Sequence, residues 1–298
     1  MTIEVAPLSH ANLDEARVLL ERATPYDLAS QVAEEKLFGG APAGPARALG
    51  VRLDGDLAGI AVTSSQWLRL FVIGPEHLGH GVGSALLDAA ESDFRERGVD
   101  QVRTMDQPGN YLAPGIDARN RPTIDWFARR GYERVRENHS LLVDVADNPR
   151  VTPARAAELA RACETAGYTI RRASRDDRGA LRAMVAAAFS SGWSFEVNLA
   201  LSSTPEGVHI AVDPDGAIAA FAAHDGNNRG LGWFGPAGTL PAHRGKGLGG
   251  ALLLACLEDV RAAGHDQCVI SWIGPRDFYE STVGVAGERE YVVMSKSV

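Results

Sequence analysis

The sequence predicts an α/β chain (α+β, mixed sheet) built from two tandem copies of one domain, each a central β-sheet flanked by helices. Three observations predict it. The glycine-dense stretch Gly79-His80-Gly81-Val82-Gly83-Ser84-Ala85-Leu86-Leu87 returns as Gly245-Lys246-Gly247-Leu248-Gly249-Gly250-Ala251-Leu252-Leu253, 166 positions further on. Three other landmarks recur in the same order around it, and repeats of this kind are the first organisation to look for. Within each copy, strand-like and helix-like patterns alternate as a layered α/β domain requires.

The elements follow in order. IEVAPLSHANLDEARVLL from Ile3 and IRRASRDDRGALRAMV from Ile170 each read as a strand, a loop and an amphipathic helix. VRLDGDLAGIAV from Val51 and IAVDPDGAIAAFA from Ile210 each read as two strands joined by an Asp-Gly turn. A further strand precedes each glycine turn. The long helices then run from about Val82 to Arg97 and from about Leu248 to Ala263, stopped by Gly98 and Gly264 at the left-handed position past a helix end. WFARRGYERV from Trp126 and FYESTVGVAGERE from Phe278 give a last short helix and strand. Between the copies, Thr152 is an N-cap, Pro153 a first helical residue and Gly167 a stop, so the connection is helical. The expected organisation is a domain over 1–145, a helical linker over 146–168 and a second domain over 169–298.

Composition bounds the function. The 298 residues suit about two domains of roughly 150 each. The net charge of −8 argues against a nucleic-acid partner, which needs a basic face. No apolar run reaches the roughly 18 residues of a membrane span. The start of the chain has no signal-peptide pattern. The 3 cysteines, Cys163, Cys256 and Cys268, lack metal or redox spacing and fit buried thiols in a reducing, cytoplasmic compartment. No metal-ligand cluster is expected. A tandem chain is compatible with a monomer or a homodimer.

A glycine turn feeding a helix start exposes backbone N–H groups that, with the helix dipole, attract phosphate or pyrophosphate. Arg244 and Lys246 add positive charge. Gly245 to Gly250 satisfies G-x-G-x-x-G, but the turn falls late in the domain and the following CVISWI ends without the acid that a dinucleotide fold needs. No Ser or Thr follows Lys246, which excludes a P-loop. Arg244-Gly245-Lys246-Gly247-Leu248-Gly249 resembles the R/Q-x-x-G-x-G/A signature of the GCN5-related N-acetyltransferases, and FYESTVG resembles that family's late Tyr-Glu-x-x-Gly segment. The resemblance covers both copies. It implies acetyl-CoA as cosubstrate, held by Thr239, Leu240, Arg244, Gly245, Lys246, Gly247, Leu248, Gly249 and Gly250, and a direct transfer to a primary amine.

The copies are unequal. Leu78 stands where the second copy has Arg244, and Phe127 stands at the position of the family's tyrosine, which the second copy keeps as Tyr279. The second copy is therefore the expected catalytic domain, with Tyr279 as general acid for the leaving thiolate, and its change to phenylalanine is expected to lower turnover about tenfold. His224, Asp225 and Glu196 are the candidate bases. The first copy carries 13 extra residues between Thr104 and Gly131, relative to the second. The segment YLAPGID inside them, with FGPAGTLPAHRGKGLG and WIGPRDFYESTVG, resembles tandem members that include bacterial glucosaminide N-acetyltransferases. That resemblance implies an amino-sugar acceptor such as glucosamine or a glucosaminide, with Tyr111, Asp117, Trp193 and Trp272 as candidate substrate contacts. A mycothiol precursor, an aminoglycoside, a peptide or a polyamine remain alternative acceptors, and a non-catalytic acyl-CoA sensor or scaffold is the alternative class.

Overall fold

Asp54 and Gly55 both have positive φ, 51° and 101°, the backbone that a tight hairpin with right-handed strand twist demands. They join β2 (Arg47–Leu53) to β3 (Asp56–Ser64) in the computed structural model of the chain, which describes residues 2–298. The chain divides into two units. Unit 1 comprises Met1–Asn138 with Glu290–Val298, and unit 2 comprises His139–Arg289.

Unit 1 starts with β1 (Ile3–Pro7), α1 (Leu13–Ala23) and α2 (Ala33–Phe38) ahead of the hairpin. After it come β4 (Trp67–Ile73), α3 (Val82–Glu96), β5 (Gln101–Thr104), the short β6 (Ile116–Asp117) and α4 (Arg121–Arg129). The strands β1 to β4 pair antiparallel in sequence, and β4 pairs parallel with β5. Val82, Leu86, Ala90 and Phe94 lie on one stripe of α3 and bury it against the sheet, as the helical period requires.

β7 (Glu133–Asp144) then leaves unit 1, and its residues 141–144 pair antiparallel with β12 (Gln267–Ile270) of unit 2. Unit 2 continues with α5 (Pro153–Thr165), β8 (Thr169–Arg172), α6 (Arg178–Ala188), α7 (Ser191–Ala200), β9 (Val208–Val212), β10 (Ile218–His224), β11 (Trp233–Thr239) and α8 (Leu248–Ala262). After β12 follow α9 (Arg276–Val283) and β13 (Gly287–Ser297). Residues 295–297 of β13 pair with β5 in unit 1, and Tyr291 and Val292 pair with β6. Each unit therefore takes its last strand from the other copy.

The stretch expected as a linker is part of unit 2. Val151 and Cys163 are buried in its core, and Ala156 and Leu159 of α5 pack against that core together with α8. The apolar residues of α5 recur at helical spacing and need a partner surface, which α8 supplies. A second cluster, with Leu181, Val185, Val197 and Phe221, fills the space between the α6–α7 pair and the unit 2 sheet.

Candidate active site

In unit 1 the parallel pair β4–β5 holds together only through Trp67↔Arg103 and Leu68↔Thr104. Beyond Leu68 no pairing continues, so the backbone of β4 from Arg69 to Ile73 turns an open edge toward the gap. A β-bulge opens it. Val62 of β3 faces Leu70 and Thr63 faces Leu68, which leaves Arg69 as the extra residue of β4. Bulges of this type bend a strand and re-aim a side chain.

The chain then reaches the glycine turn. Gly79 and Gly81 have φ of 83° and 80°, and Gly81 is the N-cap of α3. These are conformations that residues with a Cβ seldom adopt. A Cβ on Gly79 would meet nothing, so its face is open to a ligand. A cleft of about 800 Å³ connects this turn to the open edge of β4. It is also lined by the α1–α2 connection from Thr24 to Asp27, by Trp126 and Arg129 of α4, and by Leu112, Ala113, Ile116 and Asp117 of the inserted segment. Its size matches ordinary ligand pockets of roughly 300–1,000 Å³.

The charged groups on the cleft include Asp117 and Arg69. Asp117 accepts from Nε and Nη2 of Arg119 at 2.8 and 2.7 Å, and Arg119 lies over the Tyr26 ring at 4.1 Å. Arg69 is 1% exposed, and burial lowers its guanidinium to about 10. Its Nε donates to Gln107 Oε1 at 2.5 Å and its Nη1 to the Gly39 carbonyl at 2.7 Å.

Unit 2 repeats the backbone plan with different side chains. β11 and β12 pair only through Trp233↔Val269 and Phe234↔Ile270. Gly245 and Gly247 take φ of 76° and 78°, and Gly247 caps α8 as Gly81 caps α3. Leu248, Gly249 and Gly250 form the first turn of α8, and the Arg244 Nε donates back to the Thr239 carbonyl at 3.3 Å. Leu240 precedes the short turn that leads to Arg244, and the Lys246 carbonyl accepts from the Cys163 thiol at 3.8 Å. The face of β11 differs. A Cβ on Gly238 would fall 2.5 Å from the Phe189 ring, so that ring lies directly on the strand. Trp193, a candidate substrate contact, stacks on Phe189 at 5.3 Å and is 36% exposed.

The remaining candidates fall into separate places. Tyr279 packs edge-on against Phe278 and Phe234, and burial pushes its hydroxyl up to about 12. His224 is not placed as a base. Burial alone would lower its pKa, but its Nδ1 donates to Asp225 at 3.1 Å and its Nε2 to Asp259 at 3.1 Å, and these bonds outweigh burial and raise it to about 9. An imidazolium with both N–H groups engaged cannot accept a proton, so the geometry is that of a clamp. His209 and Arg172 complete it on Asp259, at 2.7 and 2.6 Å. Asp225 also accepts from the Gly230 amide at 3.0 Å, which commits it to its turn. Glu196 is buried on α7 with its backbone against Gly226. Trp272 follows β12 with a positive φ of 51°. In unit 1, Asp117 reaches the cleft while Tyr111 is buried. Arg69 escaped the sequence reading, although an arginine inside the apolar run WLRLFVI was a signal for it.

Splayed parallel strands followed by a glycine turn and a helix, present twice, define an acyltransferase-type fold. The sequence profile of the Acetyltransferase (GNAT) family matches residues 13–132 and 178–284, and the chain belongs to that family. No curated protein matches the chain. Among solved structures, it is similar to the GCN5-related glucosamine N-acetyltransferase region of a fungal multi-domain GH3 β-N-acetylglucosaminidase, with TM-score 0.79 and 18% identity. That match covers 99% of this chain and 38% of the fungal protein, so the chain spans well under half of it. A GCN5-related N-acetyltransferase from Sphaerobacter thermophilus gives TM-score 0.68 at 18% identity, covering 99% of this chain and 95% of that one. A tandem GNAT protein from the clavulanic acid biosynthesis pathway gives 0.69 at 18%, covering 99% and 98%. No helix among the described residues is long and apolar enough to cross a membrane.

Proposed function

We propose that the chain transfers the acetyl group of acetyl-CoA to the primary amine of a small molecule, and that the reaction runs in the cleft of unit 1. One observation carries this reading: a single cavity joins the open edge of β4 to the glycine turn of α3. The amides at Gly79, Gly81 and the first turn of α3 would hold the pyrophosphate, with Arg129 on the same cleft supplying the charge that Leu78 does not. Backbone N–H groups on the open edge from Leu70 to Ile73 would receive the developing oxyanion. The neutral amine attacks the thioester carbonyl, the C–N bond forms, the C–S bond breaks, the amine loses a proton and the thiolate gains one. Asp27 and His77 line the cleft and would be the side chains to exchange those protons, Asp117 being held through both oxygens by Arg119.

An amino sugar such as glucosamine or a glucosaminide is the acceptor class we favour. The insertion that carries YLAPGID contributes Leu112, Ala113 and Asp117 to this cleft, which supports a role for that segment in acceptor binding. The test is calorimetric titration of the full chain with acetyl-CoA, followed by an amine panel spanning amino sugars, aminoglycosides, polyamines and peptides. One site per chain and turnover of an amino sugar are expected. Binding without turnover of any amine would leave an acyl-CoA sensor, and turnover confined to peptides or polyamines would replace the amino-sugar reading.

A further inference from the structure

Arg69 is the least explained charge in unit 1. It stands at the bulge of β4, is almost wholly buried and lines the cleft. Two of its nitrogens have partners, namely Gln107 Oε1 on Nε and the carbonyls of Gly39 and Lys36 on Nη1. Its Nη2 has none among the described residues. Glu35, the carboxylate that acts on Arg69 electrostatically, is itself bonded at 2.6 Å to Lys36 Nζ, which also donates to Asn110 at 3.0 Å. A buried guanidinium nitrogen without a partner carries an uncompensated desolvation cost. An anionic oxygen that reached Nη2 from the cleft would remove that cost, and Arg is the side chain best shaped to bind one.

The anion is not the CoA pyrophosphate. Arg69 lies four strand residues before Ile73, about 13 Å back along β4 at ~3.3 Å per residue, whereas the glycine turn follows Ile73. Nor does the second copy repeat the feature. The residue 166 positions after Arg69 is Gly235, which has no side chain, in the corresponding bulge of β11.

We propose that Arg69 forms an anion subsite in the unit 1 cleft and that the acceptor amine carries a phosphate or carboxylate group bound there. The proposal rests on the reading of this cleft as the transfer site, which the acetyl-CoA titration tests by itself. Three acceptors separate the possibilities: glucosamine, glucosamine 6-phosphate and muramic acid, which share an amine and differ in the anion. With acetyl-CoA saturating, kcat/KM for one anionic member should exceed that for glucosamine by about tenfold or more, as for loss of a charged hydrogen bond, and the member that does so tells phosphate from carboxylate. In Arg69→Gln the ratio should fall to about one. Because that variant also loses bonds that hold Gly39 and Gln107, a second readout uses the unaltered chain. Crystals grown with selenate should show an anomalous peak at hydrogen-bond distance from Arg69 Nη2. Equal or better use of glucosamine by the unaltered chain overturns the proposal. So does the absence of selenate at Arg69 if none of the three acceptors is turned over.

Discussion

At the bulge of β4 unit 1 carries Arg69, and at the bulge of β11 unit 2 carries Gly235 and Pro236. Three positions after Arg69, Val72 lines an open cleft, whereas its counterpart Gly238 lies under the Phe189 ring. The helix connections account for much of this. In unit 1, α1 and α2 are separated by residues 24–32, and part of that loop walls the cleft. In unit 2 only Phe189 and Ser190 separate α6 from α7, which draws the phenyl ring down onto β11. The two copies thus keep one backbone plan for a glycine turn and differ in what stands beside it. Arg244 and Tyr279 mark unit 2 as the working copy by motif, while the cleft and Arg69 mark unit 1 by geometry.

The most direct way to break this comparison uses two matched glycines. A Cβ on Gly83 would sit 3.4 Å from Trp126, and one on Gly249 would sit 3.5 Å from Phe278, both ordinary contacts. Aspartate in the first turn of a helix is favourable for the helix itself, yet it repels a pyrophosphate. Gly83→Asp should therefore lower acetyl-CoA turnover by about a hundredfold with little change in melting temperature, as removal of a site for anion binding would. Gly249→Asp should change it less than about threefold. The reverse pattern would move the chemistry to unit 2.

Phe189→Ala sharpens the same contrast. Removing a half-buried phenyl ring should cost roughly 2 kcal/mol, below the 3–5 kcal/mol of a fully buried one. It also uncovers Gly238. If the ring alone separates the two copies, calorimetry should find a second acetyl-CoA site in the variant. A stoichiometry that stays at one would assign the difference to Gly235 and Pro236 instead.

Much of the fold was legible because the repeat is local and periodic. The long helices start at Val82 and Leu248 as their glycine turns require, and the Asp54-Gly55 hairpin follows from two residues that tolerate positive φ. The exchange of last strands was not legible. Strand pairing is set by distant partners rather than by propensity. Arg69 stayed hidden for a related reason, since a bulge is a property of two strands in register. The His224 clamp needed Asp259, 35 positions away on α8, to be seen beneath it.

That clamp gives a prediction of smaller size. The folded pKa of His224 is about 9, above its ordinary 6.5, so its contribution is complete below pH 6.5 and is lost as pH rises through 9. Asp259 is opposed by burial but held low by bonds from His209, His224 and Arg172, so its contribution is present above its ordinary 3.8 and is lost only in strong acid. The stability of unit 2 should therefore fall by on the order of 2 kcal/mol between pH 6.5 and 9, read as a drop of a few degrees in melting temperature. His224→Gln should flatten that slope. An unchanged slope in the variant would assign the pH dependence to another group.

Tyr279 supplies the smallest expected effect and the finest discrimination. Its sequence position in the second copy argues for a general acid, for which Tyr279→Phe would lower turnover about tenfold. Its surroundings argue otherwise, because a phenol buried beside Phe278 and pushed up to about 12 is a weaker proton donor than an ordinary tyrosine. In unit 1 the equivalent place is held by Phe127, fully buried and packed edge-on by Phe71 and Tyr132 at 5.4 and 5.0 Å. If the reaction runs in that cleft, as proposed, no phenol stands at this place to protonate the leaving thiolate. Tyr279→Phe should then change kcat by less than about twofold, within the range of a lost surface-distant hydroxyl. A tenfold loss of kcat, at unchanged melting temperature, would instead mean that unit 2 performs the chemistry and that the cleft of unit 1 serves another ligand.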